Sequence, residues 1–220
     1  MPALDHRIQK WDHPDILALN PNIASLLPVN KPIIVTYFST VQVTAQAINQ
    51  ALCANVPEFN STVGWTGVPV YPISQSSPGR TQPCATLNEA TVAMRTPYAL
   101  GMGVSFTALT SAYLRPASLM INGTVLAPTR ESIVQGITNS ASPTDLFILA
   151  PPGSSDSWPM ISTNALAVHS RNMVDCTKAK KLVEFIYWTQ TDETAATIAK
   201  ANKMIVAGQS APVHRAMLTF

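Results

Sequence analysis

The sequence predicts an α/β layer fold, and three observations carry the prediction. Residues 32–52 read PIIVTYFSTVQVTAQAINQAL, a β-branched and aromatic run passing through a polar turn into a helical pattern. Short strand and helix patterns then alternate along the chain, as layered α/β domains require. Asn122-Gly123 stands between two short apolar runs, the signature of a tight β-hairpin.

Taken in order, residues 12–19 form a short helix, with Pro14 tolerated in its first turn. Residues 33–38 are a strand. Residues 44–53 follow as a helix, with Ala45, Ile48 and Leu52 on one face. The Pro/Ser/Gly-rich stretch 68–82 reads as an extended loop. Residues 87–95 are helical and stop before Thr96-Pro97, because a residue preceding proline avoids the helical region. Strands are expected at 100–105 and 119–121, with a hairpin into 124–126, then a helix over 128–136. Residues 143–159 form a second loop, 166–169 a strand, and 177–189 the clearest helix, with Ala179, Leu182, Val183 and Ile186 as its apolar stripe.

At 220 residues the chain can bury a substantial core in one large or two small domains. Charged residues make up 12%, well below the usual ~25%, and the net charge is +2 without a basic run. Nucleic acid is therefore a poor partner. No stretch reaches the ~18 apolar residues of a membrane span, and the start MPALDHRIQK has no apolar leader core. No metal motif is seen: Cys53, Cys84 and Cys176 contain no CxxC spacing, and His6, His13, His169 and His214 are scattered. Two readings of the cysteines stay open, a Cys53–Cys84 disulfide stapling the Pro/Ser-rich segment or three reduced thiols.

Catalytic residues are not indicated. There is no Gly-x-Ser-x-Gly elbow, the aspartates Asp145, Asp156, Asp175 and Asp192 are isolated, and Gly101-x-Gly103 lacks the third glycine of a dinucleotide loop. No cofactor is implied. Ser39, Thr40, Gln42 and Thr44 at the strand–helix junction could hold a neutral or weakly charged ligand. Alternatively, Ser39 or Thr40 caps the helix. Two N-glycosylation sequons, Asn60-Ser61-Thr62 and Asn122-Gly123-Thr124, fall in turns of the sequence reading. With the low charge, they favour a secreted or cell-surface glycoprotein.

Six segments in order resemble the phosphate-binding proteins of bacterial uptake systems, which have the two-lobed periplasmic binding-protein-like fold. RIQKWDHPDILALNPN (7–22) is similar to that family's Lys-Ile-Thr-Lys-Trp-Asn-Asp-Pro stretch and the Leu-Asn-Pro that follows it. The strand at 33–35, VGWTG (63–67), TPYALGMG (96–103), NGTVLAPTRESIVQGI (122–137) and the segment 158–188 also resemble family segments. The resemblance implies a second-lobe-like α/β domain over 1–157, and a crossover strand with first-lobe helices over 158–220. The family's first-lobe start has no counterpart.

The family holds phosphate with Arg-Ser-Asp-Gly-Ser-Gly-Thr-Thr after the strand. Here its arginine falls at Tyr37, and only Thr44 keeps its residue type. Both the bidentate cation and the glycines that admit close backbone approach are lost. The resemblance therefore implies a non-enzymatic domain with a degenerate anion site, acting as a structural or interaction module of an extracellular assembly. Its partners would be other domains or subunits. The alternative is a working solute-binding protein for phosphate or another small ligand.

Overall fold

A computed structural model describes residues 7–65, 68–103, 112–140, 156–161, 175–202, 204 and 206. It is a mixed α/β structure with one small parallel and one small antiparallel sheet. The chain groups into two compact units, Met1–Arg115 and Pro116–Phe220. The strand at 166–169, with His169, lies outside the described residues. So do His6, His214, Asp145, the end of the strand at 100–105 and most of the loop at 143–159.

The first unit is built on β1 (Ile34–Phe38). It is preceded by α1 (Pro14–Leu19), whose proline stands in the first turn as the sequence requires. β1 lies between two parallel neighbours, β2 (Thr81–Cys84) and β3 (Ala99–Gly101). Val35 pairs with Thr81 on one side and with Leu100 on the other. Parallel strands need long crossovers. Between β1 and β2 run α2 (Val43–Asn55), α3 (Pro57–Thr62) and α4 (Pro72–Ser76). Between β2 and β3 runs α5 (Leu87–Ala93). The helix α2 buries Ala45, Asn49, Ala51 and Leu52. With Ile33, Val35, Phe38, Phe59, Tyr71 and Ile73 they make the core of this unit.

Residues 68–82 are therefore not an extended loop. Pro72 and Pro78 each stand at the start of a helical turn, where the missing N–H removes no bond. Pro83 sits in the edge strand β2. Its neighbour Cys84 turns its carbonyl toward β1 and accepts from the Ser39 N–H at 2.9 Å, so Pro83 faces outward, where no donor is needed.

In the second unit β4 (Leu119–Ile121) and β5 (Thr124–Leu126) form the expected hairpin, with Leu119 opposite Leu126. Asn122 and Gly123 have φ of 50° and 79°, the left-handed pair that a two-residue turn demands. The helix α6 (Arg130–Ser140) is opened by a reciprocal cap. The Ser132 N–H donates to Thr129 Oγ1 at 3.2 Å, and the Thr129 N–H donates to Ser132 Oγ at 3.1 Å. Ile121, Leu126, Ile137, Trp158 and Ile161 form one apolar cluster. Gly136 makes this packing possible, because a Cβ there would stand 2.5 Å from the Trp158 carbonyl oxygen.

Two further helices follow, α7 (Cys176–Thr191) and α8 (Glu193–Ala201). Their starts are capped by Asp175, which accepts from the Thr177 and Lys178 N–H groups, and by Asp192, which accepts from Thr194 N–H at 2.7 Å. α7 has no fully buried residue. In its predicted stripe Ala179, Leu182 and Ile186 are half-buried, while Val183 is exposed.

Candidate functional site

In open parallel sheets, ligands bind beyond the carboxyl ends of strands, where successive connections leave in opposite directions. The order β2-β1-β3 sets such a point at the ends of β1 and β3. The residues beyond β1 are Ser39, Thr40, Gln42 and Thr44, the predicted candidates.

The structure gives two of these side chains a different task. Thr40 Oγ1 donates to the Ala85 carbonyl at 2.6 Å, and Gln42 Nε2 donates to the same oxygen at 3.1 Å. Ala85 lies just after β2, and its N–H donates to Glu89 Oε2 at 2.8 Å. The Glu89 N–H in turn donates to Thr86 Oγ1, which caps α5. The two strand–helix junctions are thus tied together at Ala85. Neither Ser39 nor Thr40 caps α2. Its N-cap is Gln42, whose side chain makes no capping bond. Ser39 is exposed and Thr44 is half-buried in the first turn of α2.

Tyr37 packs its ring edge-on against Tyr71 with centroids 5.3 Å apart. Tyr71 is fully buried, and its hydroxyl donates to Asn49 Oδ1 at 2.9 Å, with Met102 Sδ a second acceptor at 3.5 Å. Burial, reinforced by nearby Tyr37 and Cys53, pushes the phenol up to about 12 despite the Asn49 bond. Two buried polar atoms, Asn49 Nδ2 and Thr36 Oγ1, have no hydrogen-bond partner. Asn49 and Tyr71 were missed in the sequence. A signal existed, since Asn49 is a polar residue four positions from Ala45 and three from Leu52 on the apolar face of α2.

Glu89 at this junction is engaged with the Ala85 N–H. Among the described residues no three His, Cys, Asp or Glu side chains gather as a metal site would need. Also among them, no helix is long and apolar enough to cross a membrane. Cys53, Cys84 and Cys176 are all free thiols, so the Cys53–Cys84 link is not formed in this structure. Burial raises both the Cys53 and the Cys84 thiol above the ordinary range, with Glu89 adding to the second. Cys176 is exposed. Cys53 is half-buried and Cys84 buried, so titration of the native protein with an aromatic disulfide reagent at neutral pH should label Cys176 rapidly, Cys53 more slowly and Cys84 only after unfolding. Absence of the Cys53 and Cys84 thiols after unfolding without reductant would instead reveal the disulfide.

No protein-family model matches the chain. Two proteins of Acanthamoeba polyphaga mimivirus are similar to it, both named "Putative serine/threonine-protein kinase/receptor". One is 28% identical over 190 residues, covering 86% of this chain and 11% of its own length. The other is 25% identical over 214 residues, covering 96% of this chain and 13% of its own length. The chain thus spans about a tenth of the relatives that it matches.

These relatives overturn two expectations. One was a non-enzymatic phosphate-binding-like module of a surface assembly, or in its place a solute-binding protein. The other was that no enzyme is involved. The first was drawn from the altered anion turn, the second from the lack of a recognisable catalytic motif. The proteins that align along most of the chain carry the name of a kinase and receptor instead.

Proposed function

We propose that this chain works within a serine/threonine-kinase/receptor-type signalling protein, as a receptor-side region of a polypeptide that has kinase activity as a whole. The observation that carries the reading is the alignment of 86% and 96% of the chain with two relatives of that name. Kinase catalysis needs a Gly-rich loop, a lysine on the following strand, a His-Arg-Asp loop and an Asp-Phe-Gly segment to hold ATP, metal and the attacking hydroxyl. None of these stretches occurs in the 220 residues. The receptor half of the name therefore fits this region better than the catalytic half. We place the region outside the cell, supported by its sequons and its low charged fraction of 12%.

We assign the finer architecture to the periplasmic binding-protein-like class. The first-strand-central parallel order and the hairpin followed by α6 support this.

The reading is tested by isolating the native species with an antibody against this chain and mapping its peptides. Serine/threonine-kinase peptides in the same species are expected. A native protein free of them, whether covalently joined or bound, would refute it.

A further inference from the structure

We propose that Asn122, and not Asn60, is the acceptor of N-linked glycan on this chain. The inference rests on the proposed placement of this region outside the cell, and not on kinase activity of the whole polypeptide.

The two sequons look alike in the sequence, and both asparagines are exposed. The structure separates them by conformation. Asn60 lies inside α3, with its N–H bonded to the Val56 carbonyl at 3.1 Å. Both hydroxyls that follow it are occupied: Ser61 Oγ and Thr62 Oγ1 donate to the Glu58 carbonyl at 3.0 and 2.7 Å. Presenting this sequon to a transferase means unwinding the helix and releasing the Thr62 hydroxyl. Asn122 and Gly123 instead form the tip of the β4–β5 hairpin, and Thr124 is exposed just beyond it. Among the described residues the Thr124 hydroxyl has no hydrogen-bond partner. The hairpin closes between strands adjacent in sequence, so the turn forms locally and stays outside the apolar cluster.

The step requires a polyprenyl-pyrophosphate-linked oligosaccharide as donor. A bond forms between Asn122 Nδ2 and the anomeric carbon of the first sugar while that carbon's bond to the pyrophosphate oxygen breaks. One Nδ2 proton passes to a base of the transferase, and the lipid pyrophosphate leaves. An amide nitrogen is a weak nucleophile because its electron pair is shared with the carbonyl. Transfer therefore depends on gripping the sequon, for which a free Thr124 hydroxyl is suited.

A second observation points the same way. Met120 and Val125, cross-strand partners on the solvent side of this hairpin, are 54% and 65% exposed. A glycan at the tip would shield that apolar pair.

The full chain secreted from a eukaryotic host should run as a single glycoform. A peptide-N-glycosidase should remove the shift, and mass spectrometry should place the glycan at Asn122. Asn122→Gly, which keeps the left-handed turn, and Thr124→Val, which keeps a β-branched strand residue, should each abolish the shift. Asn60→Gln should leave it unchanged. An unmodified protein, two glycoforms, or a shift lost with Asn60→Gln would overturn the assignment.

Discussion

Tyr71→Ala is expected to destabilise the first unit by ~3–5 kcal/mol, the usual cost of truncating a large buried aromatic. Tyr71 is fully buried, its ring meets Tyr37 edge-on, and its hydroxyl satisfies Asn49 Oδ1. Tyr71→Phe keeps the ring and leaves Asn49 with neither amide atom partnered, which costs about 1–3 kcal/mol. Equilibrium denaturation followed by circular dichroism reads both changes. An alanine variant within ~0.5 kcal/mol of the parent would show that this cluster does not hold the unit together. The same residue sets an alkaline limit. The folded phenol titrates near 12 and the unfolded one near 10, so the folded state holds more protons between those values. Stability is intact below pH 10 and falls as pH rises from there toward 12.

Gly101→Ala should be the second large effect, at roughly 1–3 kcal/mol for forced overpacking. A Cβ at this position would lie 1.9 Å from Thr36 Oγ1 and 2.6 Å from Met94 Cγ. Met94 has a flexible side chain, but Thr36 is β-branched, buried and fixed in the central strand. Thr36→Ala alone should cost about 1 kcal/mol for its buried methyl, because its hydroxyl has no partner to lose. Combined with Gly101→Ala it should recover part of the loss, giving a coupling of opposite sign to the single effect. Simple additivity in this cycle would place the strain elsewhere.

The sequence was most readable where local chemistry acts alone. The hairpin at 119–126 follows from Asn122-Gly123 and appears with its expected bounds. The start of α5 at Leu87 and the central strand β1 were also legible, from pattern and a helix-stopping Thr96-Pro97. The stretch 68–82 was misread because proline was taken as a breaker. Tertiary context instead gave each proline a position where its missing donor does no harm. α8 was not placed from the residue pattern, although Asp192-Glu193 before an alanine-rich run is an ordinary helix start.

The site was less legible than the fold. Thr40 and Gln42 are polar residues in a turn, and polarity alone does not say whether they face a ligand or a neighbouring carbonyl. Their partner Ala85 is more than forty residues away in sequence. The likeness to proteins named kinase/receptor was least legible, because a stretch without kinase motifs carries no chemistry that points to that name.

The most direct measurement is a phosphotransfer assay on the native polypeptide that carries this chain, captured by an antibody to residues within it. With labelled ATP and magnesium, the captured species should transfer phosphate to serine or threonine of itself or of a generic protein substrate. The 220-residue chain alone should transfer none. A captured native species without phosphotransfer activity, or an isolated chain that performs the transfer itself, would contradict the assignment of this chain as a receptor-side region of a kinase.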